Sequence, residues 1–310
     1  FENVRFLPAN HRLVLSTGDI SRFWPRQNIR TETDEESVDR CSDLVRDAVR
    51  KLGHRGNLLV SLTGGRDSRV NLAACGGMLD QVDFFTIRSP LVARCDLEIP
   101  ARLASRHRKM RHHFVDDIPS EAWVVDLYDE VSAGMAVGAR REILGACRKV
   151  SRFGDIHLSG ALGEMCRAYF WHTKHPETVR LDAVLSKFGN PADCIREGLE
   201  EWLASAPLGL SPSALYNLMY LEQRGGRWAG VGENAASIFY QPFSAFNSRL
   251  FYEALCRVPE ELQHGNRLPM EMIRRMWPAL LDVPFGKPGG LIGSLLPKSA
   301  KRFLRKLLAR

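Results

Sequence analysis

Residues 57–75 read N-L-L-V-S-L-T-G-G-R-D-S-R-V-N-L-A-A-C. An apolar run, Asn57 to Leu62, ends at two adjacent glycines, Gly64 and Gly65. Asp67 and Ser68 follow, and apolar residues then recur at helical spacing from Ser68 to Met78. The stretch reads as strand, turn, helix. A loop at the carboxyl end of a parallel strand is where α/β proteins bind ligands. Paired glycines bring the backbone close to a ligand, and the helix that follows points its positive end at an anion. Thr63 to Ser68 is therefore a candidate phosphate cradle. The hydroxyls of Thr63 and Ser68 can donate to phosphate oxygens, and Asp67 can bring Mg²⁺, which prefers carboxylate and phosphate oxygens. On spacing alone the same glycines also serve an ordinary turn, and the G-K-[ST] ending of a Walker loop is absent. Arg66 and Arg69 are candidates for a further phosphate contact. One helical turn in, Arg69 is expected on the solvent side.

The alternation continues outward. Strands are expected at 81–87, 111–115 and 155–159, with helices at 34–52, 96–107, 119–133 and 139–151. Thr33 or Asp34 caps the first helix. Strands spaced by helices imply a parallel α/β sheet covered on both faces. After Gly163 no strand is expected. Helices are expected near 178–188, 192–205, 211–224, 228–238, 247–257 and 269–278. A short strand is expected at Arg12 to Ser16 and a turn at Trp24-Pro25. The organisation is an N-terminal segment (1–33), an α/β region that carries the candidate phosphate loop (34–175), a helical region (176–290) and a basic C-terminal helix (291–310).

The chain has 310 residues, 45% apolar, 25% charged, with a net charge of +7. Part of the excess is local: no acidic residue follows Asp282, whereas Lys287, Lys298, Lys301, Arg302, Arg305, Lys306 and Arg310 do. No stretch approaches the roughly 18 apolar residues of a membrane span. The first residue is Phe1, and the sequence is read as a piece of a longer or processed chain. Seven cysteines form no C-x-x-C pair. They are expected to be reduced, mostly buried thiols in a cytoplasmic protein. His107, His112, His113, His172 and His175 match no metal-ligand spacing and are expected to be structural or at the surface.

T-G-G-R-D-S resembles the pyrophosphate loop S-G-G-x-D-S of the asparagine synthetase-like PP-loop ATP pyrophosphatases. The resemblance runs on in order over about residues 56–290. Phe84-Phe85-Thr86-Ile87-Arg88 is similar to the strand whose end contacts adenosine. Asp96-Leu97-Glu98 with Ala101, Leu103 and Ala104 is similar to the next helix. Ser159 to Tyr169, S-G-A-L-G-E-M-C-R-A-Y, is similar to the second loop, S-G-x-G-x-D-E-L-F-x-G-Y. Tyr240-Gln241-Pro242-Phe243 resembles R-x-P-F-L-D, and Pro284 to Gly289 resembles the late K-x-G loop. Residues 1–25, with F-E-N-V-R-F-L-P at the start, resemble the exit strand of a preceding glutaminase domain. The second loop is one residue short and keeps one carboxylate, Glu164, and Gln241 replaces arginine.

The resemblance implies a PP-loop (adenine nucleotide alpha hydrolase-like) fold and an AMP-forming, carbon–nitrogen bond-forming ligase. It would adenylate a small-molecule or peptide carboxylate, release pyrophosphate, and pass the acyl group to ammonia or an amine. A glutaminase domain or subunit is a possible nitrogen source. ATP and Mg²⁺ are the implied cofactors. ATP or pyrophosphate contacts are implied for Ser61, Thr63, Gly64, Gly65, Asp67, Ser68, Ile87, Arg88 and Gly160. Asp67 and Glu164 are implied metal ligands, with Glu164 and Lys287 catalytic. Trp228 and Tyr240 are read either as walls of an acceptor pocket or as core. Two other readings stand beside this one: a tRNA-modifying PP-loop enzyme and a non-catalytic ATP-binding scaffold. The chain lacks the aromatic-and-basic interleaving of RNA platforms, so nucleic acid is not expected.

Overall fold

The computed structural model describes residues 7–25, 31–89, 92–136, 139–152, 154–171, 174–188 and 192–286. Lys287 and the expected helix at 291–310 lie outside them.

The N-terminal residues form a hairpin of β1 (His11–Leu13) and β2 (Ile20–Arg22), antiparallel. The next element is α1 (Asp34–Gly53), and its start follows from its sequence. The Thr33 hydroxyl accepts from the Glu36 backbone N–H, and the Glu36 carboxylate accepts from the Thr33 N–H, a reciprocal capping box. Acids fill the first turn and Arg50 and Lys51 the last, as the helix dipole favours. Cys41, Val45, Val49 and Leu52 bury one face.

The centre is a parallel sheet: β3 (Leu58–Ser61), β4 (Val82–Arg88), β5 (Arg111–Asp116), β6 (Ile156–Ser159) and β7 (Gln241–Ser244), in the spatial order β5-β4-β3-β6-β7. Every neighbouring pair is parallel. Val60 lies opposite Phe84 on one side and Leu158 on the other. Leu58, Leu59 and Val60 are buried, as a strand covered on both faces requires. The chain moves outward from β3 through β4 to β5, then returns to place β6 on the other side of β3. The switch point of the sheet thus lies between β3 and β6, and α/β sheets bind ligands at such points.

The crossovers are α2 (Arg66–Ala74), α3 (Arg94–Arg106), α4 (Ala122–Val131), α5 (Ala139–Glu142) and α6 (Leu144–Val150). The expected 139–151 helix is two pieces, broken at Ile143. β7 corrects the expectation of no strand after Gly163. Pro242 argues against a strand in sequence because it cannot donate to a ladder. It is accommodated because β7 is an outer strand whose described strand neighbour is β6 alone.

The second half is helical: α7 (Leu181–Leu185), α8 (Asp193–Ala204), α9 (Pro212–Met219), α10 (Gly230–Ala236), α11 (Arg249–Leu255), α12 (Glu260–Gln263) and α13 (Arg267–Met276). Ser211 caps α9 by accepting from the Ala214 N–H, with Pro212 at the first position. Between α9 and α10 the backbone widens into a ten-residue π-helix, Tyr220–Ala229. π-Helical turns are rare and concentrate at functional sites.

One apolar core crosses the expected boundary at residue 175. Cys41, Val60, Leu72, Phe84, Leu103 and Leu158 pack in the same cluster as Trp202, Met219, Phe251, Met272 and Ile273. The other sheet face is covered by Val124, Tyr128, Leu144, Cys147, Ala235 and Ala236. Among the described residues, no helix is long and apolar enough to cross a membrane.

Candidate functional site

The loop Leu62–Gly65 leaves β3 and enters α2 at the switch point. Its side chains tie it together. The Ser68 hydroxyl donates to the Thr63 carbonyl (3.3 Å), accepts from the Thr63 N–H (3.1 Å) and lies 3.0 Å from Thr63 Oγ1. Thr63 Oγ1 accepts from the Gly65 N–H (3.1 Å). Gly65, at the N-cap of α2, has no side chain to offer, so no side chain caps the helix. The first N–H groups of a helix have no partner within it. Here they open beside Asp67, in the geometry that accepts an anion.

Gly64 has a different part. Its N–H donates to the Asp96 carboxylate (2.8 Å), and its carbonyl accepts from the Gly286 N–H (3.0 Å). A Cβ at residue 64 would stand 2.9 Å from the Cys95 carbonyl oxygen. The glycine therefore lets α3 and the late loop close on the backbone of the first loop, and the expected pyrophosphate contact through its N–H would require giving up Asp96.

The second loop, Gly160 to Leu162, leaves β6 opposite the first. Its glycines are set by contact with Asp67: a Cβ at residue 163 would lie 2.7 Å from the Asp67 Cβ, and one at residue 160 would lie 3.1 Å from the Ser68 nitrogen. A 3-10 turn, Gly163–Arg167, follows between two left-handed non-glycine residues, Leu162 (φ 66) and Ala168 (φ 53). Backbone strain of this kind clusters at functional sites. β7 braces the loop: the Ser244 hydroxyl donates to the Ala161 carbonyl (2.6 Å).

Between the loops and the π-helix lies a cavity of about 750 Å³. Ser61, Thr63, Asp67, Ile87, Gly160 and Glu164 line it, as do Tyr220, Arg224 and Trp228 from the π-helix. Gly65 and Ser68 sit behind this wall. Arg88 turns away to Asp116 (3.3 Å) and over the Phe114 ring. Trp228 is half exposed on the cavity wall, whereas Tyr240 is core, stacked on the buried His157. Gly225 lets the π-helix approach the second loop, since a Cβ there would lie 3.1 Å from Leu162 Cδ2.

Three arginines surround the acids. Arg167 Nη2 lies 3.3 Å from Asp67 Oδ2 and 3.2 Å from Glu164 Oε1. The other oxygen of Glu164 accepts from the Tyr220 hydroxyl (2.9 Å) and lies 3.5 Å from Arg224 Nε. Arg224 is stacked among Tyr169, Tyr220 and Trp228. Burial pushes the Asp67 carboxyl above its ordinary range, while Arg167 pulls it back. Burial lowers the Arg66 guanidinium, with Arg167 beside it. Arg66 was a candidate in sequence; Arg167 and Arg224 carried no signal there except that Glu164 and Arg167 are three apart, the spacing that eclipses side chains on a 3-10 turn.

Asp67 and Glu164 have the donor chemistry for a divalent ion, but a guanidinium already spans them. Among the described residues no group of three His, Cys, Asp or Glu side chains is placed to hold a metal. As it stands, the pair does not fit a resident divalent ion.

Arg69 reverses its expectation. It is fully buried, and its guanidinium donates to the carbonyls of Leu280 (3.2 Å), Val283 (2.5 Å) and Pro284 (3.1 Å). It therefore does not reach solvent or cavity; it anchors the segment leading to Lys287. Where described, the histidines are structural or at the surface: His107 packs on Trp277 and His112 bonds Thr86, whereas the exposed His113 and His175 face Asp83 and Glu260. His172 lies outside the described residues. The seven thiols are all free, four of them buried. Neither models of known protein families nor curated proteins give a match to this chain.

Proposed function

We propose that this chain is an ATP-dependent ligase of the PP-loop, asparagine synthetase-like type. A substrate carboxylate oxygen attacks the α-phosphorus of ATP, and the bond from that phosphorus to the β-bridging oxygen breaks. Pyrophosphate leaves. Ammonia or an amine then attacks the acyl carbon, AMP leaves, and the nitrogen loses a proton. ATP enters as its magnesium complex, so the ion arrives with the substrate.

One observation carries the reading: an uncapped helix start and a second strand-end loop face each other across the switch point, over one cavity. The leaving pyrophosphate concentrates negative charge. Backbone N–H groups and the helix end are the groups that stabilise such charge as it develops. The helix-terminal N–H groups, Thr63 and Arg66 hold the phosphates in this reading, and Ile87 at the end of β4 flanks the adenosine. Arg224 and Trp228 belong to the acyl side. Lys287, directly after the loop held by Arg69 and Gly64, neutralises charge at the α-phosphorus.

Calorimetry with α,β-methylene-ATP and Mg²⁺ tests the first step, and pyrophosphate release in hydroxylamine over a panel of carboxylic acids tests the second. Saturable binding and acid-dependent pyrophosphate release are expected. Asp67→Ala should lower the release on the order of 10²-fold. No nucleotide binding would sink the proposal. The arginine-bridged acids favour one second reading, a non-catalytic ATP-binding scaffold, for which binding persists without pyrophosphate release under any acid.

A further inference from the structure

We infer that Arg167 is the resident counter-ion of this site: its guanidinium holds the place between Asp67 and Glu164 that a divalent cation would need, and it turns to the phosphates when a nucleotide brings its own metal. The second clause rests on the nucleotide reading; the first does not.

The placement is built in by the local fold. Gly163 has no Cβ to strike Asp67, so the 3-10 turn seats directly against the first loop. Side chains three apart eclipse on such a turn, which stacks Glu164 and Arg167 on one face. Leu162 and Ala168, both left-handed, fix where the turn begins and ends. One guanidinium nitrogen then falls within 3.3 Å of both carboxylates. Arginine does not deprotonate in proteins, so this positive charge is permanent.

The charge balance points the same way. Arg66, Arg167 and Arg224 face Asp67 and Glu164, three cations against two anions before any metal is added. Asp96, Asp117, Glu142 and Glu233 also line the cavity, but a Mg²⁺ seated between Asp67 and Glu164 would have to displace Arg167. A nucleotide triphosphate reverses that balance. Its oxygens are better partners for the guanidinium than a shared carboxylate edge, because phosphate and guanidinium match bidentately. The bridge is also only partly desolvated: the side chains of Arg167, Asp67 and Glu164 retain 30%, 20% and 26% exposure. Arg167 can therefore exchange partners without an ion being stranded in the core.

The test is metal binding by the full chain without nucleotide, read by Mn²⁺ electron paramagnetic resonance. The unmodified chain should bind Mn²⁺ weakly, and Arg167→Met should bind it about tenfold tighter or more, because the cation competing for both carboxylates is gone. Adding Asp67→Asn to Arg167→Met should erase the gain. With α,β-methylene-ATP but no metal, Arg167→Met should bind the nucleotide about tenfold more weakly, the loss of one charge-assisted contact. If Arg167→Met does not fold, Arg167→Lys keeps the charge but spans one acid, and an intermediate Mn²⁺ affinity is expected. Equal Mn²⁺ affinity in the unmodified chain and in either Arg167 variant overturns the inference. Absent nucleotide binding alongside the Mn²⁺ contrast would sink the ligase reading and leave the counter-ion in place.

Discussion

The guanidinium of Arg69 lies 3.9 Å from the centre of the Phe285 ring, and its two terminal nitrogens are spent on the Leu280, Val283 and Pro284 carbonyls. Arg66 stacks on the same ring from 5.0 Å. The first turn of α2 thus holds the late loop, and Gly64 adds a backbone bond to Gly286. Burial lowers the Arg69 guanidinium to about 10, which still leaves it charged at neutral pH. Arg69→Met leaves the buried Leu280 and Val283 carbonyls, and the Pro284 carbonyl, without their donor, and should cost about 3 kcal/mol in urea unfolding. Arg69→Lys should recover part of that, since an ammonium reaches fewer of the carbonyls. An unchanged midpoint for Arg69→Met would show that the clamp contributes nothing.

A buried ion pair joins the N-terminal hairpin to the π-helix. Glu222 is fully buried and paired with Arg22; it also accepts from Asn10 (2.9 Å) and from Trp202 Nε1 (2.7 Å). A short two-stranded hairpin is marginal by itself, so these bonds are what hold it. Glu222→Gln strands the Arg22 charge and should cost about 3 kcal/mol. Asp43→Asn, which breaks the exposed Arg46 pair, should cost under about 0.5 kcal/mol. Thermal unfolding of the two variants side by side checks the contrast; similar losses would contradict it.

The sheet was legible because its inner strands are short apolar runs ended by glycine or polar residues, as at Leu58–Ser61, and because the crossover helices show their period. β7 was hidden by Pro242, which only its outer position allows. The π-helix was invisible because no residue pattern distinguishes its wider turn, although Gly225 and Gly226 mark where packing is closest. In the site, Thr63, Asp67, Gly160 and Glu164 were readable as loop chemistry. Arg69 was not: helical spacing says which way a side chain leaves its own helix, not that carbonyls at 280–284 will close over it. Arg167 was missed for the same reason, since its partner Asp67 comes from another loop.

The thiols give a third expectation. Burial pushes Cys41, Cys75 and Cys256 up to about 12. Near pH 8 almost none of each is thiolate, the reactive form. Cys194 is exposed. Ellman's reagent should therefore meet about one fast thiol in the native chain and all seven in guanidinium. The folded state keeps these three protonated while an unfolded chain ionises near pH 8.5, so stability should fall as pH rises above about 8.5. Rapid labelling of Cys41 or Cys75 in the native protein would contradict their burial.

His112 sets the acid side. The Thr86 hydroxyl donates to the Leu62 carbonyl (2.7 Å), so its oxygen accepts from His112 Nε2 at 2.9 Å. The imidazole thereby braces the base of the loop that follows β3. Burial, with His113 adjacent, lowers His112 to about 4. An unfolded histidine titrates near 6.5, so between about pH 6.5 and 4 the unfolded chain binds the extra proton. His112 should therefore contribute stability that is fully present above pH 6.5 and lost as pH falls toward 4. Because the ring is partly solvated, the loss is discounted to about 1 kcal/mol by pH 5. His112→Gln keeps a donor for Thr86 but does not titrate, and its unfolding free energy should decline less between about pH 7.5 and 5 than that of the unmodified chain. Parallel declines would mean that another group carries the acid sensitivity.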